Sequence, residues 1–177
     1  MATTKWALDP THSEVHFKVK HLVISTVTGT FKKFEGEAET EGDSFENASV
    51  RFSADINSID TNQEQRDEHL KSADFFDAAA FPQLTFVSTA FSKVSGDDYK
   101  LTGDLTIHGV TKPVTFDVEY GGVAGDFYGN TKAGFEVSGK INRKDFGLNW
   151  NGVTEAGSIV VSEEVKLLAS LQFAKQA

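Results

Sequence analysis

Cysteine is absent from this chain of 177 residues, and methionine, tryptophan, tyrosine and proline are scarce, with 1, 2, 3 and 3 copies. Without cysteine the protein has no disulfide, no thiol nucleophile and no cysteine-ligated metal. Long apolar runs are also missing. The opening residues MATTKWALDPTHSEV contain nothing that resembles a secretory signal or a membrane span. The sequence therefore predicts a cytoplasmic protein, or a periplasmic one if a leader has been removed.

Basic residues are outnumbered, with 17 Lys and Arg against 26 Asp and Glu, and the net charge is -9. No cluster of Lys or Arg stands out along the chain, which argues against nucleic acid as a partner. An acidic surface is also repelled by anionic lipid headgroups, so stable membrane insertion is not expected. We expect any lipid partner to be held inside the protein.

Phenylalanine is abundant, with 15 copies. Its ring is stiff and wholly apolar, which makes it a good filler for a protein interior. Two interpretations stay open on this evidence, because a sequence does not measure empty volume. One is a Phe-rich core that is packed solid, and the other is a cavity lined by Phe.

Apolar and polar residues alternate along most of the chain, as they do in half-buried strands. The pattern is clearest from Tyr99 to Tyr120, where two alternating segments flank the string HGVTKP. Gly109 can take a positive φ and Pro113 suits the first residue of a strand, so this string predicts a hairpin turn. Similar segments elsewhere predict about eight long strands, with a short additional one at residues 6–8.

Residues 58–80 break the alternation. Thr61 and Glu64 are spaced as in a capping box, and a helical stripe of apolar residues follows them. We predict one or two short helices here, between the third and fourth strands. Residues 22–28 are interpreted as a further helical turn or a bulged connection.

Eight antiparallel strands that each have one apolar face can form a sandwich or a closed barrel, and closure removes the exposed edge strands. We therefore predict a single all-β domain over residues 1–177, an eight-stranded antiparallel barrel with a short helical insert between strands three and four. A barrel of this size has room for packed side chains or for one slender ligand. The insert is expected to plug or gate one end, which places Phe75 and Phe76 near a mouth.

Five segments of the chain resemble the YceI-like family, in the same order and over nearly the whole length. They are DPTHSEVHFKVKHL at 9–22, RDEHLKSADFFD at 66–77, FPQLTFVS at 81–88, LTGDLTIHGVTKPV at 101–114 and NRKDFG at 142–147. The resemblance implies a lipocalin-like barrel that holds a polyisoprenoid or a similar long-chain lipid. It implies no catalytic residues common to the family.

The inward faces of the strands and two Phe residues of the insert are predicted to contact such a ligand. These residues are Phe17, Val19, His21, Phe31, Phe52, Ala54, Phe75, Phe76, Leu84, Phe86, Leu101, Leu105, Phe116, Val118, Phe135, Val137, Leu167, Ala169 and Leu171. The expected partner is one long-chain isoprenoid lipid or quinone per barrel, or a similar fatty-chain lipid, with no cofactor and no metal. A homodimer stays open.

Charged residues beside the insert match charged positions of the family. They are Arg66 and Asp67 on the insert, and Arg143, Lys144 and Asp145 after a later strand. We predict that they tie the insert to the barrel rim, and contact with a ligand headgroup is the alternative.

The histidines are not arranged for metal binding or catalysis. His16 and His21 point to opposite faces of one strand, and His12 and His16 are about 13 Å apart by strand rise, too far to share an ion. His21 faces inward, where its ring needs a partner at the barrel end or in a ligand headgroup. Ser13, His12 and Asp9 are the residue types of a catalytic triad, but no nucleophile elbow is present.

The sequence thus predicts non-enzymatic binding, carriage or sequestration of a long-chain amphiphilic lipid. Two other classes stay open. The barrel could be the scaffold of an enzyme or a regulatory module, or it could bind haem or a metal, which would require His21 to face an open cavity.

Overall fold

The computed structural model describes residues 3–21, 24–42, 44–149 and 161–176, which form one antiparallel sheet and one short α-helix. The helix is α1 (Glu64–Lys71). The strand segments are β1 (Thr3–Leu8), β2 (Glu14–His21), β3 (Ser25–Phe31), β4 (Phe34–Glu41), β5 (Ser44–Asp55), β6 (Ile59–Asp60), β7 (Gln83–Ser95), β8 (Asp98–Ile107), β9 (Val110–Gly125), β10 (Thr131–Asn142) and β11 (Val161–Lys175).

The sheet closes into a barrel. Its neighbours follow the order β1, β4, β5, β7, β8, β9, β10, β11, and β11 pairs again with β1. The rest of β11 pairs with β2, which continues to β3 and β6. The segments β1 and β2, β3 and β4, and β5 and β6 are three bent strands, so the predicted eight-stranded antiparallel barrel is confirmed.

Each of the three bent strands is interrupted at a short irregular segment. A 3-10 turn at Pro10–His12 separates β1 from β2, residues 32–33 separate β3 from β4, and a 3-10 turn at Ile56–Ser58 separates β5 from β6. The Lys32 N–H donates to the Ser58 carbonyl at 3.2 Å, which joins the second bend to the third. The bends thus coincide across neighbouring strands, and the sheet turns there as a unit.

The predicted hairpin around HGVTKP has a turn of only two residues. His108 and Gly109 both have positive φ, 57° and 73°, as a type I′ turn requires. Because the turn is so short, pairing begins at once with Ile107 opposite Val110. Pro113 is therefore the fourth residue of β9, and its placement as the first residue of the strand is wrong.

The predicted short helix between the third and fourth strands is confirmed by α1. The capping box is wrong, because Gln63 is the N-cap and its side chain makes no capping bond. The Thr61 N–H and hydroxyl instead donate to the Asp67 carboxylate at 2.9 and 2.6 Å. In the part of the chain that the structure describes, no helix is long and apolar enough to cross a membrane.

The interpretation of residues 22–28 as a helical turn or a bulge is wrong where the structure describes them. Residues 25–28 belong to β3, which pairs with β2 from Ser25 opposite His21. Leu22 and Val23 lie outside the described residues. The β-branched Val and Thr of this stretch favour a strand even though apolar residues do not alternate there.

Candidate functional site

The barrel interior contains a cavity of about 450 Å³ at the end where α1 lies. We call it the first cavity. Its apolar lining consists of Phe17, Val19, Val27, Phe31, Leu70, Phe75, Phe76, Leu84, Ile107, Ile141, Leu148, Val161, Val165 and Leu167. Exposed side chains such as Lys20, Gln63 and Gln65 also line it, so the cavity reaches solvent at this end, which we call the mouth.

Two smaller apolar spaces continue inward from the first cavity. The second cavity, of about 100 Å³, shares Phe31, Leu84 and Leu167 with the first. A third, of about 40 Å³, shares walls with the second, including Leu101 and Leu171. Spaces that share wall residues are neighbours, so the three follow one another into the barrel.

Aromatic rings fill the opposite end of the barrel. Phe45 lies 4.9 Å from Trp6 and 5.0 Å from Phe135, measured between ring centroids, and Phe91 stacks on Tyr99 at 4.8 Å. The Trp6 indole N–H donates to the Thr40 hydroxyl at 3.2 Å, so its polar atom is satisfied. The interior is therefore hollow at the mouth and packed with rings at the other end. The predicted Phe-lined cavity describes the first half, and the predicted solid Phe-rich core describes the second.

Glycines in the wall make room for the rings that line the cavities. A Cβ on Gly29 would overlap the ring of Phe17, and a Cβ on Gly139 would overlap that of Phe116. These rings can therefore lie against the backbone of a neighbouring strand instead of standing out into the interior. Glycine in a strand commonly marks such a close approach.

Arg66 of α1 is held at the mouth by a neighbouring turn. Its Nε donates to the Thr61 hydroxyl oxygen at 2.7 Å and its Nη2 donates to the Thr61 carbonyl at 2.6 Å. Thr61 is only 3% exposed and also donates to Asp67. This cluster attaches α1 to Thr61, the residue that follows β6, and it orients the Arg66 guanidinium.

Arg143 is the most deeply buried charged residue of the described chain, with 3% of its surface exposed. Its guanidinium donates to the carbonyls of Ser162, Leu148 and Val161 at 2.9, 2.6 and 3.3 Å. Burial lowers the pKa of this group from its ordinary value, while Glu163 raises it. Arg143 ties the turn after β10 to the start of β11 and also contributes to the lining of the first cavity.

Two histidines line the mouth. His21, at the end of β2, lies in the first cavity wall, as its inward strand position predicts. His69 of α1 was not predicted there, and its Nε2 lies 2.8 Å from a carboxylate oxygen of Asp74. The His69 ring also packs edge-on against Phe75 at 5.2 Å.

Asp9 and His12 lie outside the cavities, at the bend between β1 and β2. The Asp9 carboxylate is 2.8 Å from Lys132 Nζ and 2.8 Å from His12 Nδ1, and it accepts further bonds from Thr11. These contacts, led by the Lys132 ammonium, hold the pKa of Asp9 well below its ordinary range. The buried Ser13 hydroxyl oxygen accepts a bond from the Gln172 N–H at 2.9 Å, so it joins the strands of the wall.

The remaining histidines have local contacts. His16 Nε2 lies 3.1 Å from a Glu14 carboxylate oxygen, and His108 packs against Phe81 at the hairpin turn. Among the residues described, no group of three His, Asp or Glu side chains is placed to hold a metal ion.

All nineteen residues that were predicted to contact a ligand lie on the cavity walls, and their contact with a ligand stays a prediction. Phe17, Val19, His21, Phe31, Phe75, Phe76, Leu84 and Leu167 line the first cavity. Phe52, Ala54, Phe86, Leu101, Leu105, Phe116, Val137, Ala169 and Leu171 line the second. Val118 and Phe135 line only the third.

Several lining residues were missed. Ile107, Ile141 and Val165 lie on the inward faces of predicted strands, so the alternation could have identified them. Val27 belongs to the stretch that was not interpreted as a strand. Leu148 follows a 3-10 turn, where no periodic signal exists.

The sheet also brings together lysines that are far apart in sequence. Lys140, Lys166 and Lys18 lie directly opposite one another on β10, β11 and β2, and all three are exposed. The sequence showed no basic cluster because this row is assembled by strand register. It adds positive charge to the outer wall beside Lys20, which lines the mouth.

Comparisons with known proteins agree with this architecture. The family model for the YceI-like domain matches residues 6–173. Protein YceI of Salmonella newport is 42% identical over 165 residues, which cover 93% of this chain and 83% of that protein. The crystal structure of Burkholderia cenocepacia BcnA matches with a TM-score of 0.79 and 27% identity, over 93% of this chain and 98% of that one.

A more distant structure has the same fold. It is a polyisoprenoid binding domain from Saccharophagus degradans implicated in plant cell wall breakdown, with a TM-score of 0.69 and 18% identity, over 97% of this chain and 98% of that one. The predicted resemblance is confirmed across nearly the whole length, and the chain belongs to the YceI-like domain family.

Proposed function

We propose that this protein binds one long apolar chain, an isoprenoid lipid, a prenyl quinone or a similar amphiphile, inside the barrel. It carries or sequesters this ligand and catalyses no reaction on it. The first cavity is the observation that carries the proposal, because its volume of about 450 Å³ falls within the range of about 300–1,000 Å³ typical of small-molecule sites.

The arrangement of the cavities suits a ligand with one polar end. Polar side chains such as Gln63 and Arg66 gather at the mouth, and the walls of the second cavity are almost wholly apolar. At the opposite end Phe45 and Phe135 are buried and pack against each other, and the cavity beside them measures only about 40 Å³. A tail would enter at the mouth and stop before the rings, with its headgroup near α1.

The family to which the chain belongs supports a binding protein over an enzyme. The Saccharophagus degradans domain, which is described as polyisoprenoid binding, has the same fold. In this chain, a ligand of that class would occupy the first cavity.

The energetics favour a carrier that exchanges its ligand. Moving a tail of about 20 carbons out of water would release about 16 kcal/mol at about 0.8 kcal/mol per CH₂. The binding free energy of non-covalent complexes has a ceiling of about 20 kcal/mol. Such a lipid comes from a membrane, however, where its tail is already dehydrated. The net driving force is therefore modest, and loading and release depend on the lipid concentration in the donor and acceptor membranes.

The test is uptake of lipid by the delipidated protein. Vesicles that contain a prenyl quinone or a prenyl alcohol are mixed with the protein, the two are separated by size, and the protein fraction is extracted and analysed by mass spectrometry. We expect up to one lipid per barrel, and the same extraction of freshly purified protein should release a long-chain lipid. If the protein takes up none and carries none when purified, the proposal is wrong.

A pair of variants separates uptake into the cavity from adsorption to the surface. Val165→Glu places a carboxyl group in the wall of the first cavity, whereas Val87→Glu makes the same change at an exposed position of the outer wall. We expect Val165→Glu to lower occupancy at least tenfold and Val87→Glu to leave it unchanged. Equal occupancy in the two folded variants would show that the lipid lies elsewhere.

A further inference from the structure

The polar lining of the first cavity is made of nitrogen-bearing side chains. They are Lys20, His21, Gln63, Gln65, Arg66, His69 and Arg143. No Asp or Glu of the described residues lines this cavity, although the chain has 26 acidic and 17 basic residues. The mouth of an acidic protein is therefore locally basic.

Four carboxylates that lie close in sequence to lining residues interact with another group. Asp67 accepts bonds from Thr61, and an Asp74 oxygen lies 2.8 Å from His69. Glu68 pairs with Lys71, and Glu163 pairs with Lys144 at 2.8 Å. These acids reduce the positive charge around the mouth, but none of the four lines the first cavity.

Arg66 is the cation that is best placed to meet a headgroup. Two donors on one edge of its guanidinium, Nε and Nη2, are fixed on Thr61. Nη1 makes no hydrogen bond within the described residues, and Arg66 forms no ion pair there. Because Thr61 already holds the group, little side-chain freedom is lost when a ligand binds.

We propose that the mouth selects an anionic headgroup, a phosphate or a carboxylate, on the apolar chain that the cavity holds. This inference rests on the proposed function and adds the chemistry of the headgroup to it. Hydrogen bonds between a cation and an anionic oxygen are about twice as strong as neutral ones. An anionic headgroup would accept from Arg66 and be attracted by the charges of Lys20 and Arg143, whereas an alcohol would gain only neutral bonds.

The experiment compares ligands that share one tail. The delipidated protein is titrated with a C20 prenyl phosphate, the matching prenyl carboxylate and the matching prenyl alcohol, with affinity measured by displacement of a fluorescent fatty-chain probe. We expect both anions to bind at least tenfold more tightly than the alcohol at low salt. High salt should reduce this preference severalfold, because part of it is electrostatic.

Arginine variants test the assignment to the mouth. Arg66→Gln should bring the anions to within about threefold of the alcohol, and Arg66→Lys, which keeps the charge, should restore part of the preference. Arg51→Gln is the matched control, because Arg51 is exposed on the outer wall and lies outside the first cavity. It removes the same charge and should leave the preference unchanged.

The possible results separate the two proposals. If the three ligands bind the wild-type protein equally, the proposed function stands and the anionic headgroup is wrong. The inference is also wrong if Arg51→Gln abolishes the preference as fully as Arg66→Gln, because net charge alone would then explain it. If none of the ligands binds, the proposed function fails and the inference fails with it. A preference for only one anion identifies whether phosphate or carboxylate is the headgroup.

Discussion

Replacing Ala169 with tryptophan should shorten the tail that the barrel accepts. Ala169 lies in the wall of the second cavity, beyond the junction formed by Phe31, Leu84 and Leu167. An indole at this position would fill the second cavity and leave the first one open. We expect the cost in stability to be only about 1–3 kcal/mol, the usual effect of overpacking.

The cavity volumes give the size of the effect on binding. A methylene group takes up about as much room as a water molecule, about 30 Å³, so the first cavity holds about 15 carbons and the second about three more. At about 0.8 kcal/mol per CH₂, those three carbons contribute about 2.4 kcal/mol, which corresponds to about 50-fold in Kd. A C20 prenyl chain should therefore bind the wild-type protein about 50-fold more tightly than a C15 chain.

The assay measures the affinities of C15 and C20 prenyl alcohols for three proteins. In Ala169→Trp the two alcohols should bind with similar affinity, and the C15 alcohol should bind as it does to the wild type. Ala90→Trp, an exposed position of β7, should retain the full preference for the longer chain. A folded Ala169→Trp protein that still prefers the C20 alcohol by 50-fold would show that the tail does not pass this residue.

Three further predictions concern the wall of the barrel. Arg143→Met should lower the free energy of unfolding by about 2–4 kcal/mol in urea titration, because each buried carbonyl that loses its donor costs about 1–3 kcal/mol; a change below about 0.5 kcal/mol would contradict the anchoring role. The pKa of Asp9 is lower in the folded protein than in the unfolded chain, so its stabilisation is present above the ordinary carboxyl range and is lost as the pH falls. Asp9→Asn should thus destabilise the protein at pH 7 and much less at pH 2, and an equal loss at both values would refute this account. Gly139→Ala should displace the ring of Phe116 and cost about 1–3 kcal/mol, whereas Gly134→Ala on the same strand meets no atom within 4 Å; similar melting temperatures for the two variants would contradict the close approach.

Much of the fold follows from the local sequence because strand alternation is a local signal. The inward faces around Phe17, Leu105 and Phe116 could be predicted, since a period of two assigns each residue to one side of the sheet. The strand from Ser25 was missed because residues 25–28 contain one large apolar residue, Val27, and a single residue cannot show a period of two.

The mouth was harder to predict because its groups meet only in the folded chain. Thr61 is spaced from Glu64 as in a capping box, but its hydroxyl donates to the Asp67 carboxylate and accepts from Arg66 Nε. On the outer wall, Lys18 and Lys166 are likewise neighbours only through the register of β2 and β11. The volume of the cavity has no sequence signature at all, and the homodimer and the cellular location stay predictions.

The most direct test of the central claim is a crystal structure of the protein saturated with a C20 prenyl lipid. We predict continuous electron density for the chain from the mouth beside Arg66, past Leu84 and Leu167, to Ala169. The headgroup should lie within hydrogen-bond distance of Arg66, and the aromatic end around Phe45 should stay closed. Lipid density confined to the outer wall, or an interior that remains empty at full saturation, would contradict the account.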